Sequence, residues 1–127
     1  MILRIKRLFV VFFLLMGFMS YIMEKYNIFN QIPVDLTHEI FETLVDQQGL
    51  LIERIISKKH VTPEGQWYDQ EQSEWVMVLQ GEAKLMFEDL EVVHLDTGDH
   101  INIPAHCKHR VIWTSETTET IWLAVHY

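Results

Sequence analysis

The sequence predicts a mostly β protein folded as a single antiparallel β-barrel or jelly roll, and three observations carry that prediction. From Leu50 onward, short runs rich in Val, Ile and Trp follow one another, broken by turn residues at intervals of roughly 8–12. So many strands in so short a chain would leave long unpaired edges in an open sheet, so they must pack as a sandwich or close on themselves. The composition is sufficient for one core: 127 residues, 49% apolar, with seven Phe, four Tyr and four Trp.

Taken in order, the chain begins with a hydrophobic leader over 1–23. Arg4, Lys6 and Arg7 precede the uncharged stretch Leu8–Met23, which as a helix would span about 24 Å. Two readings follow: a single-pass signal anchor with its N-terminus in the cytoplasm, or a start site placed too early, with Met23 as the first residue of a cytoplasmic protein. Residues 24–49 are a linker and a short helix. Gln31-Ile32-Pro33 interrupts regular structure, Asp35 or Thr37 caps, and Leu36, Ile40, Phe41, Leu44 and Val45 share one face of an amphipathic helix over 35–45. Residues 50–127 supply the strands, expected at Leu51–Ser57, Glu74–Gln80, Ala83–Phe87, Glu91–Leu95, His100–Pro104, His109–Thr114 and Thr120–His126.

Charge and cysteine content narrow the function classes. A formal charge of −8 repels phosphate backbones, which argues against a nucleic-acid partner. Cys107 is the single cysteine, so an intramolecular disulfide and a thiolate-rich zinc site are both excluded. There is no Gly-rich phosphate loop and no nucleophile elbow, hence no sign of a nucleotide cofactor.

Glu74 is followed after six residues by Gly81, and after sixteen more by Gly98, which opens Gly98-Asp-His-Ile-Asn-Ile-Pro104-Ala-His106-Cys-Lys-His109. This spacing resembles the two signature motifs of the cupin superfamily over about residues 50–127. Gly98, Pro104 and His109 fall on the second motif, with His106 in place of its Gly and Trp113 in place of its Asn. The first motif keeps Glu74 and Gly81, but its two histidines are replaced, either by Trp67 and Asp69 or by Tyr68 and Gln70 according to the spacer. The resemblance implies a small metal- or metabolite-binding barrel. Its candidate ligands are Asp69, Glu74 and His109, with Gln70 or His106 as a fourth and Trp67, Tyr68, His106 and Trp113 near a substrate.

Carboxylates serve a divalent iron, manganese, nickel or zinc ion as well as imidazoles do. A carboxylate inside an apolar barrel needs a cation or hydrogen-bond donors, so Glu74 and His109 should hold either a metal or a proton between them. Two functions are consistent with this: a lumen that binds a metal or small metabolite without turnover, and a metal-dependent enzyme of dioxygenase or isomerase type acting on a small oxygen-bearing substrate. Partners are then a small-molecule ligand, a membrane only through residues 1–23, and a second copy of the chain in a homodimer.

Overall fold

The structure, a computed structural model, describes residues 22–127 and the backbone of three short N-terminal strands, β1 (Leu3–Lys6), β2 (Phe13–Leu15) and β3 (Phe18–Ser20). The apolar runs become β5 (Leu50–Ser57), β6 (Glu74–Gln80), β7 (Ala83–Phe87), β8 (Val92–Leu95), β9 (His100–Ile103), β10 (His109–Thr114) and β11 (Thr120–His126). Alternation decides their faces: along β6, Glu74, Val76 and Val78 are buried, while Trp75 and Met77 are partly exposed.

The helix expected over 35–45 is corrected. Ile40–Gln47 is a strand, β4, antiparallel to β5 from Ile40 opposite Ile56 to Gln47 opposite Leu50, with a bulge between Thr43 and Val45. The apolar spacing that mimicked a helix comes from a strand buried on both faces, since Ile40, Phe41, Glu42 and Thr43 are all buried in succession. Among the described residues there is no helix. The leader over 1–23 lies for the most part outside the described residues, and no described helix is long and apolar enough to cross a membrane.

The strands form a six-stranded sheet in the order β1-β4-β5-β11-β6-β9, a three-stranded sheet in the order β10-β7-β8 and the β2-β3 hairpin. The closed barrel is corrected too, because no ladder of main-chain hydrogen bonds joins the two larger sheets among the described residues. They are held by side chains instead. Phe41, Ile55, Val76, Val78 and Trp122 on the larger sheet meet Ala83, Leu85 and Leu95 on the smaller one in a common core.

Two local features fix this arrangement. On the face of β4–β5 away from that core, Arg54 lies opposite Glu42 and pairs with it at 2.5 Å, and its guanidinium also donates to the carbonyls of Ile28 and Asn30. A buried charge is thereby neutralised, and the segment before β4 is tied to the sheet. At the β6–β7 turn Gly81 has φ of 81°, and a Cβ there would meet Thr120 Oγ1 at 2.7 Å and the Glu119 carbonyl at 2.9 Å. Only glycine fits.

Candidate functional site

Between the two sheets lies a cavity of about 90 Å³. Phe41, Ile55, Val76, Leu85, Ile103 and Trp122 form its apolar walls, and a polar set of Glu39, Glu53, Tyr68, Gln70, Glu74, His109 and His126 faces into it. A wider hollow of about 270 Å³, lined by Trp67 and His60 among others, adjoins it through Glu39 and Tyr68, which line both.

Glu74 begins β6 and His109 begins β10, so the pair bridges the two sheets. His109 Nε2 lies 3.3 Å from Glu74 Oε2, with both residues nine-tenths or more buried. The approach is within ion-pair reach but is not aligned as a hydrogen bond: Glu74 Oε2 is buried with no hydrogen-bond partner. His109 Nδ1 contacts the Cys107 carbonyl at 2.9 Å, which fixes Nδ1 as the donor and leaves Nε2 to face the cavity. Burial disfavours the imidazolium, but Glu74 and the Cys107 carbonyl outweigh it and hold the His109 pKa above its ordinary 6.5.

A second pair of the same design stands beside the first. His126 is directly opposite Glu74 in the β11–β6 register, and its Nε2 lies 3.2 Å from Glu53 Oε1 on β5. Its Nδ1 contacts Gln70 Oε1 at 3.2 Å. Glu53 Oε2 and His126 Nε2 are both buried without hydrogen-bond partners. Nearby, burial raises the Glu39 pKa against the opposing hydrogen bond from Ser57, and burial together with Glu39 and Glu74 pushes the Tyr68 phenol up to about 12.

The two alternatives left by the altered first motif are now distinguished. Tyr68 and Gln70 line the cavity, whereas Asp69 is exposed and contacts His106 at 3.0 Å, outside it. Asp69 therefore does not converge with Glu74 and His109, and His106 turns outward with it. Trp67 lines the outer hollow and packs under the Arg110 guanidinium. Trp113, expected near a substrate, is turned away instead: a bulge between Val111 and Trp113 breaks the alternation that would put it on the face of His109 and places it beside the exposed Lys84.

Sequence reasoning missed Glu53 and His126. Their signals were Glu53, on the face of Ile55 within Leu51–Ile56, and the alternation Trp122, Ala124, His126, which puts His126 on the core face. Among the described residues, three ligand-type side chains converge at Glu82, His94 and Asp96, where His94 Nε2 lies 3.0 Å from Glu82 and 3.7 Å from Asp96. That group is exposed, and none of its three residues lines the cavity.

This architecture, with Glu74 and His109 meeting inside it, agrees with comparisons to known proteins. The family model described as "Cupin domain" matches residues 59–126. A structure from Ralstonia eutropha JMP134, named as a candidate mannose-6-phosphate isomerase, is 46% identical with a TM-score of 0.78, covering 82% of this chain and 97% of that one. An RmlC-like cupin from Desulfovibrio desulfuricans is 17% identical at a TM-score of 0.65, covering 82% of this chain and 96% of its own. A cupin superfamily protein from Desulfitobacterium hafniense DCB-2 is 18% identical at 0.62, covering 75% and 82%. The last two show the fold alone. No curated protein matches the chain. The chain belongs to the cupin family.

Proposed function

We propose that this cupin binds a small ligand in its lumen with a divalent metal held by Glu74 and His109, and with solvent or ligand oxygens completing the coordination. The observation that carries the reading is the buried Glu74 Oε2 that lacks a hydrogen-bond donor while facing an imidazole nitrogen oriented toward the same space. An unpaired carboxylate oxygen in so apolar a setting is costly, and a cation between it and Nε2 removes that cost. An O/N donor set of this kind suits iron, manganese, nickel or zinc, and such a metal supplies Lewis-acid polarisation of a bound oxygen.

Elemental analysis of protein purified without a metal-binding tag tests this directly. Wild type should carry metal, and His109→Ala should lower both the metal stoichiometry and the melting temperature. Stoichiometry that survives both Glu74→Ala and His109→Ala would show that the ligands are others.

A second reading, an isomerase acting on a small oxygen-bearing substrate, is favoured by the name of the Ralstonia eutropha relative at 46% identity. Conversion of mannose 6-phosphate to fructose 6-phosphate by metal-loaded protein would establish it, and absence of turnover would leave the binding function standing.

A further inference from the structure

The lumen contains a second set of groups that the metal does not use, and its chemistry specifies a ligand. Resting on the lumen-binding reading above, we propose that Glu53, backed by His126 and Gln70, receives the ammonium group of a small unphosphorylated amine. Glu53 is 1% exposed and its Oε2 has no donor, although it lines the same cavity as Glu74. His126 is oriented by Gln70 toward Glu53 Oε1, and Glu53 Oε2 is left without a hydrogen-bond donor. A buried carboxylate oxygen in that position needs a donor, preferably a charged one.

The charge of the lining points the same way. Glu39, Glu53 and Glu74 face the cavity, and among the described residues neither the lumen nor the adjoining hollow has a lysine or arginine in its lining. Arg54 is engaged by Glu42 and main-chain carbonyls on the far side of the sheet, and Arg110 lies over Trp67. The buried carboxylate of Glu53 favours a monovalent cation beside it over a phosphate dianion. Size agrees with charge: a cavity of about 90 Å³ with apolar walls suits a short alkylammonium.

The test is thermal denaturation of the full chain at neutral pH, after chelator treatment and again with metal restored. Ethylammonium should raise the melting temperature of wild type. Tetramethylammonium, which has the charge but no N–H donor, should leave it unchanged, as should acetate, inorganic phosphate and mannose 6-phosphate. Glu53→Gln should weaken ethylammonium binding about tenfold or more. If that variant does not fold, His126→Gln should weaken it in the same direction, and the comparison among ligands on wild type stands by itself.

Stabilisation by mannose 6-phosphate, equal responses to the two ammonium ions, or an unaltered response in Glu53→Gln would overturn the proposal. Metal stoichiometry of wild type is read separately, so loss of the amine response with metal retained defeats this inference alone. Loss of metal with the amine response retained defeats only the metal reading.

Discussion

Arg54, buried, and Glu39, half-buried, show how single charges set the stability of this fold. Arg54 is 1% exposed and compensates Glu42 while bonding the chain at Ile28 and Asn30. Arg54→Ala removes the guanidinium that pairs with Glu42 and holds the carbonyls of Ile28 and Asn30, and urea denaturation should show a loss of about 3–5 kcal/mol. Replacing both partners by apolar residues, as in Glu42→Leu/Arg54→Met, should recover part of that loss; no recovery would mean that the main-chain bonds matter more than the ion pair. Glu39 gives a pH signature. Its folded-state pKa lies above the ordinary 4.5 because burial disfavours the carboxylate. The folded state therefore binds its proton more tightly than the unfolded chain does, and that stabilisation, complete below pH 4.5, is lost as pH rises through the folded-state value. Glu39→Gln keeps an acceptor for Ser57 without the charge, so its stability relative to wild type should increase from pH 4 to pH 7, read as the difference in urea midpoints. A constant difference would show that Glu39 does not titrate between these limits.

Turns and bulges decide which side chains each strand delivers to the lumen. Gly81 closes the β6–β7 turn against Thr120 and the Glu119 carbonyl, so Gly81→Ala should cost roughly 1–3 kcal/mol from backbone strain and the clash together. The bulge in β10 has the opposite character, since it moves a side chain out of the site. Trp113 sits over Lys84, so Trp113→Ala should leave metal content unchanged, whereas a fall in metal content would return Trp113 to the cavity. The seven strands after Leu50 were legible because β-branched and aromatic runs alternate with turn residues. β4 was not, because a strand buried on both faces has no period of two, and Ile40, Phe41, Leu44 and Val45 fit a helix as well as a strand. Trp113 was misplaced for a related reason: alternation counts residues, and a bulge adds one.

At the scale of the molecule, two sheets without a connecting hydrogen-bond ladder rely on the core between them. Leu85, 2% exposed, lies on the smaller sheet and faces the larger across the cavity. Leu85→Ala should cost about 2–5 kcal/mol and loosen the lumen, seen as a lower melting temperature and faster amide exchange in β7 and β10. The class of fold and the strands after Leu50 could be read from the chain alone, because strand runs are local patterns that are retained when the chain folds, whereas the approach of Glu74 to His109 was expected only from the resemblance of the motif spacing to cupins. That resemblance also confined the replaced motif histidines to two neighbouring pairs of residues. Only the tertiary structure decided that Tyr68 and Gln70, not Trp67 and Asp69, face inward, and that Glu53 and His126 join them. Those four residues come from three separate parts of the chain, and whether their side chains share a cavity depends on how β5, β11 and the loop before β6 are registered against one another, which no local pattern encodes.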